Sequence, residues 1–184
     1  SQEHTMNTQL TVSPGQIADK AIKHRKEDLY GDYLPEDSNL DSKGIAGAIA
    51  EGMGSCANAQ EASEHCIKSF LNDYVSTPET GLVKSSGAKV LTAINNWLLS
   101  NGNKDHANGM VTTFSGLVLK STTAHIFHIG DSRIYRFRPN HSNGDFELLT
   151  TDHRVWISDE KNYLSRAMGI DSHLAIDYKT LAIE

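Results

Sequence analysis

The run from Val111 to Phe137 constrains this chain more than any other stretch. Val, Ile, Thr and Phe dominate it, and turn residues interrupt it only at Lys120-Ser121-Thr122 and Gly130-Asp131. That pattern predicts three consecutive strands of an antiparallel meander. In the middle strand Ala124, Ile126 and His128 point one way, and Thr123, His125, Phe127 and Ile129 the other. Both faces carry apolar side chains, so the strand belongs between two packed layers. Gly130-Asp131 has the Gly-first form of a tight hairpin, which would hold the Asp131 carboxylate at the rim of the sheet.

A chain of 184 residues is long enough to bury a sizeable core as one domain. Its 17 basic and 23 acidic residues give a net charge of -6 without a block of one sign, which disfavours nucleic acid or an anionic membrane as the main partner. No apolar run approaches the length of a membrane span, and Ser1 to Met6 has no signal-peptide core. Ser1 to Thr5 is expected to be a cloning remnant, with residues 6–184 forming a single domain. Cys56 and Cys66 lack metal or redox spacing, which points to free thiols in a reducing cytoplasm.

Along the chain, Pro14-Gly15 marks a bulge or turn in an early strand over Leu10 to Ala18. The polar run Asp19 to Asp28 predicts a solvated loop or strand, Leu29 to Leu34 a short strand, and Pro35 to Ser42 a loop. Gly44 to Ala50 is small and apolar, a buried strand expected to end at Glu51-Gly52-Met53-Gly54-Ser55, whose glycines allow a sharp turn and close approach to a ligand. Ala62, Cys66, Ile67, Phe70, Leu71 and Tyr74 share one helical face, with Asn58 as cap. Val90, Leu91, Ile94 and Leu98 form the stripe of a second helix, Ser86 to Ser100, followed by Gly102. These helices should pack as an antiparallel pair on one sheet face. Pro139 to Asp145 reads as a loop, Phe146 to Thr150 as a strand, Tyr163 to Met168 as a short helical stretch, and Leu174 to Glu184 as a last strand. Cys66, Met53 and Trp97 are expected to pack, Trp156 to pack or lie on a flap over Val155 to Tyr163, and His125 and His128 to point to opposite faces without sharing a metal.

Glu27-Asp28, Glu51 and Asp131 fall at strand ends or loops, and carboxylates are the hard-oxygen ligands Mg²⁺ and Mn²⁺ prefer. Taken singly, each is also an ordinary acidic strand end. Their wording and order say more. Ala48 to Asn58 resembles the Val-Ala-Asp-Gly-Met-Gly-Gly-His-Ala-Asn signature of the metal-dependent protein phosphatases of type 2C. Gly109-Met110-Val111-Thr112-Thr113 is similar to that family's Gly-Met-Gly-Thr-Thr, and His128 to Tyr135 to its Val-Gly-Asp-Ser-Arg-Ala-Tyr. Leu149 to His153 and Leu164 to Gly169 match the next two blocks. The wording resembles that of a bacterial subgroup in which the phosphatase domain precedes a protein kinase.

The resemblance implies an α+β fold, a four-layer α-β-β-α sandwich of the protein phosphatase 2C type, here incomplete at the C-terminus. It implies hydrolysis of phosphoserine or phosphothreonine by water activated at a two-metal Mg²⁺ or Mn²⁺ centre. Carried over by position, Glu51 is the bridging ligand and Gly52 the carbonyl ligand. Glu27 and Asp28 are the early acidic pair, Asp131 serves an additional metal, and Lys23, or alternatively Arg25, binds the substrate phosphate. Three departures accompany these matches: Glu51 replaces the bridging Asp, Cys56 replaces a His, and the family's Asp-Gly and Asp-Asn blocks would fall beyond Glu184. The expected activity is therefore weak or lost. The alternatives are a non-catalytic phosphoprotein-binding or partner-docking module, with a homodimer through an exposed sheet edge, or a fragment of a longer active phosphatase.

Overall fold

The computed structural model describes residues 12–15, 28–33, 43–54, 57–78, 80–102, 109–139 and 146–183. Its main sheet is built from β1 (Asp28–Tyr33), β2 (Ile45–Met53), β4 (Phe114–Lys120), β5 (Thr123–Ile129) and β10 (Asp177–Ala182) in that spatial order, with the short β3 (Val111–Thr112) added beside the end of β2. Every pairing is antiparallel. Two helices, α1 (Ala57–Val75) and α2 (Val83–Asn101), connect β2 to β3 along the chain.

The helices cover one face because both the sheet and the helices present apolar stripes there. Ala46, Ala48 and Ala50 of β2, Phe114 and Val118 of β4, and Phe127 and Ile129 of β5 join Ala62, Cys66, Ile67, Phe70 and Tyr74 of α1 and Val90, Leu91, Ile94 and Leu98 of α2 in one buried cluster. The alanines of β2 bring the strand close beneath α1. Both predicted helical stripes are thus buried apart from Leu71, which is partly buried against the cluster, as is Trp97 with its ring stacked on His65 at 3.5 Å.

On the other face, Ala124, Ile126 and His128 are also buried, as a two-sided strand requires. Two short ladders follow β5 in the chain, β6 (Tyr135–Phe137) with β7 (Phe146–Leu148), and β8 (Arg154–Trp156) with β9 (Asn162–Leu164). His128 reaches this layer through Nε2, 2.9 Å from the Thr151 carbonyl.

Several of these expectations are corrected. Gly130-Asp131 does not close a hairpin: Gly130 has φ +120, but the strand that pairs with β5 is β10, from the end of the chain, while β6 pairs with β7. The meander is therefore only the β4-β5 hairpin across Ser121, after which the chain leaves the sheet. β2 ends at Met53, within the stretch where its end is expected, because β3 extends the ladder past the end of β4. Residues 162–164 form a strand rather than a helical stretch, since β8 offers them a ladder with Val155 opposite Tyr163. Asn58 lies inside α1 instead of capping it, and residues 12–15 have no regular structure. Leu29 to Tyr33, Phe146 to Leu148 and Asp177 to Ala182 are strands as predicted. Cys56, most of Asp19 to Asp28, Pro35 to Ser42 and residues 140–145 lie outside the described residues.

Candidate active site at the sheet rim

The candidate site gathers where β1 begins and β2 ends. Strand register places Asp28 directly opposite Glu51, with Gly52 next along β2. Glu51 is half-buried, and its peptide is held from both sides by a threonine pair. The Thr113 N–H donates to the Glu51 carbonyl at 2.9 Å and the Glu51 N–H donates to Thr113 Oγ1 at 3.1 Å, while the Thr112 hydroxyl shares its one proton between the Thr113 carbonyl at 2.8 Å and the Glu51 carbonyl at 3.2 Å. Both threonines are fully buried, so these bonds face no competition from water. Thr112 is fixed in turn by Met168, the two residues exchanging backbone N–H to carbonyl bonds of 3.1 and 2.8 Å.

Gly52 is small for a different reason from the one its motif suggests. A Cβ there would stand 1.9 Å from the Ala59 carbonyl oxygen, so the glycine admits the backbone of α1. Gly54, with φ +99 and nothing within 4 Å of an added Cβ, is the one that turns the chain.

Asp131 belongs to the same neighbourhood through its successor: Ser132 Oγ lies 3.4 Å from Thr113 Oγ1, the hydroxyl that holds Glu51. Its own carboxylate is already engaged, accepting a hydrogen bond from Arg154 Nη1, and Arg154 Nε donates to Asn162 across the β8-β9 ladder. Glu51, Gly52, Asp28 and Asp131 are thus brought to one rim, whereas Lys23, Arg25 and Glu27 lie outside the described residues.

A second polar layer runs behind the rim. His128 Nε2 faces an acceptor-only carbonyl and so carries the proton, which leaves Nδ1 to accept from the Ser115 hydroxyl at 2.8 Å. His153 has the same neutral form, with Nδ1 accepting the Gly130 N–H at 3.0 Å and Nε2 donating to Asp177 at 2.7 Å. Burial pushes the Asp177 carboxyl up, but the His153 hydrogen bond and the nearby positive Arg166 outweigh it and hold the group below the usual carboxylate range. Arg133 forks onto Asp152 with bonds of 2.9 and 2.6 Å. The roles of Thr112, Thr113, His153, Arg154 and Asp177 were not apparent from sequence. Thr112, Thr113 and His153 lie inside recognised blocks, but only their tertiary partners reveal what they do.

Burial lowers the pKa of His128, which is 1% exposed. An unfolded His takes up a proton near pH 6.5 and the folded one resists it, so stability is lost as pH falls below about 6.5, by up to about 1.4 kcal/mol per pH unit for one group. Partial burial pushes His65 and His125 the same way. Replacing His128 by Gln is expected to flatten this acid limb by as much as one proton's worth. Urea unfolding at several pH values between 7 and 5 measures it, and an unchanged slope would count against the assignment.

The rim donors, the Glu51 carboxylate and the Gly52 carbonyl, are hard oxygens of the kind that suit Mg²⁺ or Mn²⁺. Asp131 does not fit such a role as it stands, because a guanidinium holds its carboxylate. Among the described residues no three His, Cys, Asp or Glu side chains converge closely enough to hold an ion. Nor does any described helix have the length and apolar character to cross a membrane.

Comparison with known proteins shows what the chain as a whole is similar to. The family model described as protein phosphatase 2C matches residues 24–167. A curated protein of Streptococcus pyogenes serotype M6, named "Putative protein phosphatase 2C-type", is 31% identical over 116 residues, a match that takes in 61% of this chain and 46% of that relative's length. Among solved structures, the serine/threonine phosphatase of S. agalactiae superposes with a TM-score of 0.73 at 20% identity, over 88% of this chain and 70% of its own. Serine/threonine phosphatase Stp1 from Staphylococcus aureus gives 0.68 at 18% identity, over 92% and 68%. At such identities the superpositions establish the shared α+β fold and nothing finer.

Proposed function

The chain belongs to the protein phosphatase 2C family, and from that premise we propose that it is a phosphatase domain acting weakly on protein phosphoserine and phosphothreonine. The observation that carries the reading is the rim itself: Asp28 opposite Glu51, Gly52 beside it, and the Glu51 peptide held by Thr112 and Thr113. Glu51, the Gly52 carbonyl and the acidic pair Glu27 and Asp28 would hold Mg²⁺ or Mn²⁺, and Lys23 or Arg25 would receive the substrate phosphate. When bound, such ions supply Lewis acidity that activates water toward phosphorus. What the chain itself contributes is placement. The threonine pair fixes the strand that carries Glu51, and α1 pressed on Gly52 stops that strand from shifting.

Low turnover follows from Glu51. Its extra methylene, relative to the family's Asp, moves the carboxylate by on the order of 1 Å, enough to cost about a hundredfold where geometry is tight. A phosphothreonine peptide assay with Mn²⁺, run beside a full-length family member, tests this. The expected result is turnover about a hundredfold lower, abolished by Glu51→Ala and by Asp28→Ala. Turnover that survives Glu51→Ala would remove the site. Turnover equal to the full-length comparator would remove the claim of weakness. Phosphopeptide binding without any hydrolysis would favour the docking module, for which the edge that β10 forms among the described residues offers a place for a second copy to pair.

A further inference from the structure

Asp131 sits on a rigid platform. Gly130 before it exchanges two bonds with His153, N–H to Nδ1 at 3.0 Å and carbonyl from the His153 N–H at 2.8 Å. A Cβ on Gly130 would stand 2.6 Å from the Thr113 side chain, so this corner packs tightly on the threonine that holds Glu51. From this fixed point the Asp131 carboxylate meets Arg154 on β8, and Arg154 also binds Asn162 on β9. The ion pair is partly shielded, with side-chain exposures of 31% for Arg154 and 23% for Asp131. One guanidinium therefore ties both strands of the β8-β9 hairpin to the rim. The hairpin's base is anchored, by His153 on Gly130 and Asp177 and by Met168 on Thr112, but beyond that base Val155, Trp156 and Tyr163 are exposed. A divalent cation at Asp131 would have to displace this guanidinium or sit beside it as a like charge.

We propose that Arg154 is the resident counter-cation of Asp131, latching the β8-β9 hairpin to the sheet rim and keeping divalent ions off that carboxylate. This takes Asp131 out of the set of metal donors and makes metal binding there and hairpin docking mutually exclusive, a coupling that must be reciprocal.

The test uses the full chain, Mn²⁺ alone as probe, and two readouts that need no catalysis. In the first, Mn²⁺ binding is titrated by electron paramagnetic resonance. Wild type and the isosteric Asp131→Asn should bind the same number of ions with affinities within about threefold, while Arg154→Ala gains a site of at least about tenfold tighter binding that the Arg154→Ala/Asp131→Asn double variant loses. In the second, amide exchange over residues 155–163 should rise at least about fivefold in both single variants, and Arg154→Lys should restore part of the protection. Loss of a Mn²⁺ site in Asp131→Asn, no gain in Arg154→Ala, or a hairpin whose exchange is unchanged in both single variants would overturn the proposal. The peptide assay described above decides the phosphatase reading separately, so failure of one does not pass for failure of the other.

Discussion

Replacing Gly52 by alanine is expected to lower the unfolding free energy by about 3 kcal/mol or more, a large part of the 5 to 15 kcal/mol typical of a domain. The added Cβ would lie 1.9 Å from the Ala59 carbonyl oxygen, 2.4 Å from its carbon and 2.9 Å from its Cα. All three are backbone atoms near the start of α1, so no side-chain rotation relieves the clash, and either the helix lifts or β2 twists away. Movement of β2 would also disturb the Glu51 peptide and its threonine bonds, so any turnover should fall along with stability. Gly54→Ala is the control two residues on. It meets nothing within 4 Å and carries only the strain of a positive φ, so it should cost about 1 to 2 kcal/mol. Urea unfolding of both variants distinguishes the causes. Equal losses would mean that backbone conformation, not the approach of α1, makes glycine necessary at position 52.

What was legible in the sequence is what local periodicity dictates. The two-sided alternation of Thr123 to Ile129 and the stripes of the two helices led directly to the core, because burial on a given face is a property of spacing along one element. Partner choice is not such a property. Gly130 announced a positive φ, yet a hairpin also requires the next segment to return, and here β10, 48 residues beyond Ile129 in the register that pairs Asp177 with His128, occupies that edge. Residues 162–164 lacked signal for a different reason: three residues are too few to show a period, and only β8 makes them a strand. At the rim, the type 2C wording singled out Glu51, Gly52 and Asp131. The threonine pair that holds Glu51 and the arginine that holds Asp131 are tertiary partners 62 and 23 residues away from the groups they bind, beyond what spacing encodes.

The layer that supports the rim makes the other large prediction. Phe127 is 1% exposed on β5 and stands between the helices and the sheet edge, with Phe70 at 6.1 Å in an edge-on geometry and Tyr178 at 5.1 Å. Gly87 of α2 rests directly on its ring, since a Cβ there would be 2.2 Å from Cζ. Phe127→Ala removes the ring from a site bounded by secondary structure that can collapse only partly, so it should cost about 3 to 5 kcal/mol. Gly87→Ala alone should cost about 1 to 3 kcal/mol by overpacking, despite alanine's better helix propensity. In the Phe127→Ala background the obstruction is gone, and the same Gly87→Ala should become favourable by up to about 1 kcal/mol, the propensity gain together with some filling of the cavity. A double-mutant cycle by urea unfolding reads this reversal of sign as a coupling energy well outside the few tenths seen for independent sites. If Gly87→Ala costs the same in both backgrounds, the ring is not what keeps residue 87 small, and α2 must be held at its distance from β5 by something other than Phe127.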